Sequence, residues 1–222
     1  MKMVYGKWGL KFDFCENEAQ LLVIENPGTF AEIIWDLQKQ LEGEDRQIVL
    51  SDDEKLLSSK YIEIIIDPFR LDINNRKVIG RLYQELKEIS NEDFLDYVGN
   101  LCTETVNYLE DLSSKLPYSI SFNTELDPVN LFKLYDLKLE VETESLLQKL
   151  IEYLKVISAL CGIKLVIFVN IKNYFNNIQI LELYKTAFYC KINLFLIEAT
   201  QNIRLAGEKI FILDSENCFI EL

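Results

Sequence analysis

The sequence contains no histidine among its 222 residues, so the commonest general base and metal ligand of enzymes is missing. Catalysis by Ser-His or Cys-His pairs is therefore excluded. Glycine and proline are scarce, at eight and four residues, which favours extended helices over long loops. The five cysteines lack the paired spacing of a zinc site. An odd, scattered set predicts buried thiols in a reducing cytoplasm.

Long apolar runs are also missing. The longest, such as 165–169, are far shorter than the roughly 20 residues that cross a bilayer. Residues 1–14 alternate apolar and polar side chains and lack the continuous apolar stretch of a signal peptide. These features predict a soluble cytoplasmic protein. The hydrophobic share of 49% supports a real core, and the length suits one large domain or one domain with a sizeable insertion.

Positive charge is under-represented, with 23 basic residues against 36 acidic ones and a formal charge of −13. The imbalance is concentrated in residues 1–111, which hold 23 acids and 12 bases, whereas residues 112–222 hold 13 and 11. Such a chain is not an obvious nucleic-acid binder, because contacts to phosphate need Lys and Arg. A DNA-binding role would therefore require a local concentration of basic side chains.

Strand and helix patterns alternate at both ends of the sequence, around a mostly helical middle. Fully apolar strands between helices predict a largely parallel sheet that is covered on both faces. From Asn74 the apolar residues take helical spacing. We therefore predict an α/β fold: a head from residues 1–69 and 151–222, with a mostly parallel sheet and flanking helices, and an inserted helical leg from 70–150.

Individual elements follow from periodicity, caps and breakers. The predicted strands lie at 3–14 (a strand or hairpin), 21–25, 47–50, 61–66, 165–170 and 193–198, with a closing hairpin over 209–213 and 218–222. The first predicted helix lies at 29–41, and a second begins at 74. Four more cover about 91–116, 129–135, 143–160 and 176–188. An acidic turn is predicted at 51–54.

The segment LLVIENPGTFAEII, residues 21–34, has the strand–loop–helix order in which enzymes hold a nucleotide. Its loop carries one glycine and no lysine, and Pro27 removes a backbone N–H. Glu25 and Glu32 would repel phosphate. Thr29 is better explained as a helix N-cap, with Glu32 completing a capping box. We interpret the segment as an ordinary capped turn.

The second half of a nucleotide site is also incomplete. The strand LVIFVN ends in Asn170, where a Mg²⁺ site needs a carboxylate. The acidic pairs Asp52–Asp53 and Asp13–Glu16 are more simply solvated surface charges than catalytic dyads. We therefore predict a protein that is not an enzyme. A nucleotide-dependent, kinase-like enzyme with an unusual loop stays open as an alternative.

Five stretches, taken together and in order, resemble a known family: LLVIENPGTFAEII, IIIDPFRLDINNRKVIGRLYQEL, KLVIFVNIKNYF, INLFLIEATQ and KIFILDSENCFIEL. They are similar to the type II-A CRISPR-associated adaptation protein of the Csn family, in its short form. The closest agreement lies in IFVN with the following Tyr174 and Phe175, and in the strand that ends at Glu198. The resemblance covers almost the whole chain.

The resemblance implies a head like a degenerate P-loop kinase fold and a long helical leg. It implies a flat homotetramer ring whose hole takes double-stranded DNA ends, without nucleotide hydrolysis, in support of spacer acquisition. The implied partners are DNA, further copies of the chain, other CRISPR adaptation proteins and the RNA-guided effector nuclease, with no membrane. A scaffold that docks adaptation proteins without touching DNA is a further alternative.

A ring reconciles the acidic composition with DNA binding, because a basic hole and an acidic exterior act separately at physiological salt. Lys138 matches a position where family members carry lysine. Lys77 and Arg81 share a helical face at i,i+4. The predicted DNA contacts are Lys55, Lys60, Arg76, Lys77, Arg81, Lys133 and Lys138.

The resemblance also implies structural calcium held by clustered carboxylates. Family members have an acid-rich stretch where residues 115–124 of this chain contain no acid. The predicted ligands are therefore the neighbouring Glu125, Asp127, Asp136 and Glu140. Calcium needs six to eight oxygens, so carbonyls and waters would have to complete the site. Asp127 has a second predicted role as the N-cap of a short helix that starts at Pro128.

Overall fold

A computed structural model describes residues 1–43, 48–52 and 55–222. The chain divides into two compact units. Met1–Ile73 and Val141–Leu222 form the first, which we call the sheet unit, and Asn74–Glu140 form the second, the helical unit.

Ten strands and six α-helices are present in the described ranges. The strands are β1 (Lys2–Tyr5), β2 (Leu10–Asp13), β3 (Ala19–Ile24), β4 (Ile48–Asp52), β5 (Lys55–Leu56), β6 (Ile62–Ile65), β7 (Leu165–Val169), β8 (Asn193–Glu198), β9 (Glu208–Leu213) and β10 (Phe219–Glu221). The helices are α1 (Pro27–Glu42), α2 (Arg76–Asp93), α3 (Leu95–Ser113), α4 (Pro128–Leu134), α5 (Leu146–Cys161) and α6 (Asn177–Tyr189).

The centre of the sheet unit is a six-stranded sheet in the order β10-β9-β3-β8-β7-β6. Its inner strands pair in parallel, and only β10 runs antiparallel, against β9. Every residue of β3 and β7 is buried, as expected for parallel strands covered on both faces. The predicted α/β class with a mostly parallel sheet is confirmed, and so is the closing hairpin.

A second sheet of four antiparallel strands, in the order β2-β1-β4-β5, was not predicted as a sheet of its own. The predicted hairpin at 3–14 supplies β1 and β2. Phe12 of β2 packs on the large sheet, with its ring centroid 4.8 Å from that of Phe195 and 5.0 Å from that of Phe211. Gln47, at the start of the predicted strand 47–50, and Asp53 and Glu54, in the predicted acidic turn, lie outside the described residues.

The start of α1 differs from the prediction. Asn26, not Thr29, is the N-cap: its side-chain oxygen accepts the backbone N–H groups of Gly28 and Thr29 at 2.9 and 3.1 Å. Pro27 occupies the first helical position, where its missing N–H costs nothing. Thr29 lies inside the helix, and Glu32 pairs with Lys7 instead of closing a capping box. The predicted Thr29–Glu32 box is wrong because Asn26-Pro27 is the stronger start signal.

The helical unit contains three helices and very little buried surface. Asn75 caps α2, and the chain leaves helical geometry at Phe94, so the predicted helix over 91–116 begins only at Leu95. The predicted cap Asp127 with Pro128 at the first position of α4 is confirmed. Within this unit, whose residues are all described, only Val78, Tyr83 and Pro128 are buried.

Candidate nucleic-acid interface

Two side chains hold the end of the helical unit against its first helix. Asn74 donates to the carbonyl of Leu139 at 3.0 Å and accepts the N–H of the same residue at 2.9 Å. The Tyr83 hydroxyl of α2 lies 3.3 Å from the carbonyl oxygen of Phe132 and 3.1 Å from that of Leu137. The segment 132–139 is thereby fixed along α2 by bonds to its backbone, which leaves its lysine side chains at the surface.

This arrangement brings five of the seven predicted DNA contacts into one unit. Arg76, Lys77 and Arg81 lie on the first half of α2 and are exposed. Lys133 lies in the last turn of α4, and Lys138 lies beside the residue that Asn74 clamps. Asp136 partly neutralises this group, because its carboxylate is 2.5 Å from the Lys138 ammonium. We call residues 74–87 and 128–140 the basic end of the helical unit.

The charges of the helical unit are strongly segregated along its sequence. The basic end holds six basic residues and three acids, and one of its lysines, Lys87, also pairs with Asp127 just outside it. Residues 88–114, by contrast, hold seven acids and no Lys or Arg. Field strength near a surface depends on the local charge and not on the total. The basic end can therefore attract a polyanion although the whole chain is acidic.

The sheet unit carries the other two predicted contacts, Lys55 on β5 and Lys60 in a short 3-10 turn. The Lys60 ammonium lies over the Tyr61 ring, 4.8 Å from its centroid. Lys164 was missed by the sequence prediction, yet its ammonium lies 6.0 Å from the same ring and 2.7 Å from Asp52. Its hydrogen bond from N–H to the carbonyl of Tyr61 reflects the parallel pairing of β6 and β7, which residue patterns alone did not give.

Two of the four predicted calcium ligands, Asp127 and Asp136, already have other partners. Asp127 accepts the N–H of Val129 at 3.2 Å and pairs with Lys87 at 3.1 Å, and these contacts hold the pKa of its carboxyl below the ordinary value. Asp136 pairs with Lys138. Across residues 1–43, 48–52 and 55–222 no group of three or more Cys, Asp or Glu side chains is placed to hold a metal. As placed, the four carboxylates do not form a calcium site, and calcium binding stays a prediction.

In the strand–loop–helix at residues 21–34, other parts of the same chain occupy the N-terminal end of the helix. The side chain of Asn26 caps α1 and also donates to the carbonyl of Ser215 at 3.2 Å. The Thr29 hydroxyl bonds to the side-chain oxygen of Asn217 at 2.7 Å. The turn between β9 and β10 thus lies at the end of α1 where a phosphate would bind. At the end of β7, Asn170 accepts the N–H of Ala199 at 2.9 Å, so its oxygen has a structural role.

Comparison with known proteins gives the family. The profile described as CRISPR-associated protein (Cas_Csn2) matches residues 40–217, well over half of the chain. The chain belongs to this family. Membership of the Csn2 family establishes a CRISPR-associated protein with a role in CRISPR adaptation, as the resemblance predicted.

Two solved structures show weak similarity to this Csn2-family chain. One is the ATP-binding cassette of an ABC transporter in its ADP conformation, with a TM-score of 0.42 and 13% identity over 92% of this chain and 79% of the other. The second is a bacterial Atm1-family ABC exporter with ATP bound, with a TM-score of 0.40 and 10% identity over 93% of this chain and 34% of the exporter. Neither match is close enough to support an argument about function.

The surface of α3 carries an apolar stripe that nothing in the described chain covers. It begins at the residue before the helix and follows helical spacing, through Phe94, Tyr97, Leu101, Tyr108 and Leu112. The exposed fractions are large, 74% for Tyr97 and 62% for Tyr108. Exposed apolar faces of this kind mark interaction surfaces.

A cluster of ionisable side chains is buried in the sheet unit of this Csn2-family chain. The Lys172 ammonium and the Tyr184 hydroxyl both lie 2.6 Å from Oε1 of Glu208, whose Oε2 accepts the N–H of Leu205 at 2.8 Å. The backbone N–H of Lys172 donates to Oε1 of Glu198 at 3.1 Å. Glu198 is fully buried, and its Oε2 has no hydrogen-bond partner among the described residues. Sequence patterns gave no sign of this cluster.

Two general predictions can also be compared with the structure. No helix in the described part of the chain has the length and apolarity that crossing a bilayer requires. All five cysteines are free, but only Cys161 is buried, whereas Cys15 and Cys218 are exposed. The prediction of buried thiols is therefore wrong for those two, which lie in turns and not in the core.

Proposed function

We propose that this Csn2-family protein is a non-enzymatic protein that binds the ends of double-stranded DNA as a homotetramer ring during spacer acquisition. In this proposal the sheet unit is a degenerate P-loop kinase-like head, and the helical unit is the leg that contacts DNA. The observation that carries the proposal is the basic end of the helical unit, where six basic residues meet three acids in an otherwise acidic chain.

The basic end suits contacts to the phosphate backbone of DNA that do not depend on the base sequence. Its lysines and arginines are mostly exposed, and binding of this kind needs only neutralisation of the backbone. Asn74 and Tyr83 bond to the backbone of the segment that carries Lys133 and Lys138, and this segment therefore lies beside α2 with its own basic residues. Affinity built in this way is independent of sequence, which suits the capture of unrelated DNA fragments.

The apolar stripe of α3 supports the assembly of several copies. A monomer would leave Phe94, Tyr97, Leu101, Tyr108 and Leu112 in water, and self-association is the simplest way to cover them. Native mass spectrometry tests this directly: four copies are expected for the wild type, and smaller species for Tyr108→Glu. A wild type that stays monomeric at micromolar concentration would exclude the ring.

The proposal includes no nucleotide binding, because the N-terminal end of α1 is already occupied. Asn26 occupies the first N–H groups of the helix, and the turn that holds Ser215 and Asn217 lies against it. Titration calorimetry with Mg-ATP should therefore show no binding. Binding that is lost on Thr29→Ala would instead favour the kinase-like enzyme.

A gel-shift comparison tests DNA-end binding. Linear duplex should bind and closed circular duplex of the same sequence should not, because only an end can enter a ring. The double variant Lys133→Glu/Lys138→Glu should lose most of the affinity. It should also reduce the salt dependence, by roughly one unit of slope for each phosphate that the variant no longer neutralises.

Lys115→Glu is the matched control for that variant. Lys115 is exposed and belongs to the same unit, but it lies outside the basic end, so its reversal should leave binding nearly unchanged. Equal binding of linear and circular DNA would exclude threading. Undiminished binding by the Lys133/Lys138 variant would place the contact elsewhere or favour a scaffold that docks other adaptation proteins and the effector nuclease. The same native-mass measurement with added calcium tests the predicted metal.

A further inference from the structure

We propose that Glu198 is a proton-binding group of the sheet unit, and that loss of its proton loosens the turn Asn170–Tyr174 at the carboxyl end of β7. This device is independent of DNA binding and of ring assembly. It rests on the buried cluster formed by Glu198, Glu208, Lys172 and Tyr184.

The charge balance of the cluster favours a protonated Glu198. Two carboxylic acids and one ammonium group are buried together, with side-chain exposures of 0% for Glu208 and 5% for Lys172 and with Glu198 itself 0% exposed. The Lys172 ammonium forms its ion pair with Glu208, and Glu208 also accepts a hydrogen bond from the Tyr184 hydroxyl. An ionised Glu198 would therefore leave one negative charge in the interior without a cation of its own. A buried charge of this kind is strongly unfavourable, and taking up a proton relieves it.

The hydrogen bonding of Glu198 is incomplete. Backbone N–H groups of Lys172 and Ile171 face the carboxyl, but Oε2 has no partner in the described chain. Leaving a buried oxygen without a partner costs more when the group is charged than when it is neutral. The incomplete bonding therefore favours the neutral acid.

The charged groups around Glu198 act in opposite directions. The pKa of Glu198 is raised from 4.5 to about 7, and burial is the largest cause. The N–H and the ammonium of Lys172 and the N–H of Ile171 oppose this rise, and the negative charge of Glu208 adds to it. From α6, Tyr184 faces the cluster as a neutral phenol, because burial and Glu208 raise its own pKa. Arg204 contributes a bond to the carbonyl of Glu208.

Ionisation of Glu198 should affect the turn that follows β7. Residues 171–173 form a single 3-10 turn, and Lys172 connects it to the cluster by two contacts. Its backbone N–H donates to Glu198, and its side chain forms an ion pair with Glu208. Asn170 enters this turn with a positive φ of 53°, in the left-handed region that Asn adopts more readily than most residues with a side chain. Opening the turn would admit water to an ionised Glu198. The exposed ring of Tyr174 would move with the turn; its centroid lies 5.3 Å from that of Phe69.

The direction of the pH effect follows from proton counting. Between about pH 4.5 and about 7 the folded state holds a proton on Glu198 that the unfolded chain has released. Stability should therefore fall as pH rises through this range, with the unfolding equilibrium constant rising by up to roughly 300-fold. Above the upper limit this contribution should be constant.

Two NMR measurements on the whole protein test this proposal. The first follows the ¹³C signals of labelled glutamate carboxyls as a function of pH. The second follows hydrogen exchange at the Lys172 amide, with the intrinsic pH dependence of the exchange rate removed. In the wild type one carboxyl should titrate near pH 7, and exchange at the Lys172 amide should accelerate with the same midpoint. Glu198→Gln should abolish both changes. Glu182→Gln, which removes an exposed carboxyl from α6, is the matched control and should leave both in place.

A second variant keeps the test decisive if Glu198→Gln folds poorly. Glu208→Gln removes the neighbouring negative charge, so the carboxyl that titrates near pH 7 should shift to lower pH. Glutamate carboxyls that all titrate below about pH 5.5 in the wild type would overturn the proposal. So would a titration near pH 7 that persists in Glu198→Gln, or a Lys172 amide whose exchange does not follow the carboxyl.

Discussion

The sheet unit and the helical unit are built on different physical principles. The sheet unit buries whole strands, and a cluster that includes Phe12, Phe195 and Phe211 joins its two sheets. The helical unit buries only Val78, Tyr83 and Pro128 and relies on backbone bonds from Asn74 and Tyr83. One unit is stabilised by its own core, whereas the other leaves most of its apolar and charged surfaces exposed.

The largest difference between the units should appear on truncating an aromatic side chain in each. Phe195→Ala should lower the free energy of unfolding by about 3–5 kcal/mol, because it removes a buried ring and leaves a cavity. Tyr97→Ala, in the exposed stripe, should change it by less than about 0.5 kcal/mol under conditions where the protein is monomeric. Urea unfolding measures both values. Comparable losses would mean that the helical unit has a core of its own.

A polar contact should matter more in the helical unit than its small size suggests. Asn74→Ala removes both bonds to Leu139 and should cost about 1–3 kcal/mol, because the freed backbone groups are partly buried. It should also weaken DNA binding, since Lys138 would no longer be held beside α2. Asn100→Ala, at an exposed position of α3, is the control. Unchanged amide exchange at Leu139 in Asn74→Ala would show that the clamp is not needed.

The cap of α1 offers a smaller effect inside the sheet unit. Asn26→Ala should cost about 1 kcal/mol, because two N–H groups lose their acceptor. Asn26→Asp keeps a capping oxygen; it loses the bond to Ser215 but adds a negative charge that the helix N-terminus favours, so its loss should be smaller. Thermal unfolding distinguishes the two variants. A loss for Thr29→Ala well above that for Asn26→Ala would restore Thr29 as the cap.

The smallest effect is an acid sensitivity confined to the helical unit, opposite in sign to that expected of Glu198. The pKa of Asp127 is lowered by Lys87 and by the Val129 N–H, so its contribution is present above the ordinary pKa and is lost as pH falls. Amide exchange around Pro128–Leu134 should accelerate below about pH 4. Asp127→Asn, which retains a capping oxygen, should reduce that acceleration. No difference between the variant and the wild type would contradict the role of Lys87.

Local signals in the sequence predicted local features well. Asp127-Pro128 marked the start of α4, and Gly162 ended α5 in a left-handed conformation, because caps depend on neighbouring residues only. The same rules failed at α1, where Asn26 is the cap although Thr29, three residues later, carries the capping-box pattern with Glu32. The error concerns which of two valid start signals prevails.

Features that depend on distant pairings were not predicted. Lys164 joins the Lys60–Tyr61 group only because β7 pairs with β6, and Glu198 meets Glu208 only through the sheet and the turn after β7. Neither contact has a periodic or spaced signature. In the basic end, by contrast, the residues could be named from sequence, but the bonds from Tyr83 that assemble them could not.

The pairing of β3 has a consequence for how the protein is made. Ala19 pairs with Leu194 on one side and Glu208 on the other, so the centre of the sheet joins an early strand to two late ones. A ribosome must therefore deliver the chain to at least Leu213 before this strand finds both neighbours. Until then an apolar segment with two open edges is exposed, a target for chaperones and for aggregation. Such long-range closure is also slow, so this exposure lasts longer than it would in a fold built from local contacts.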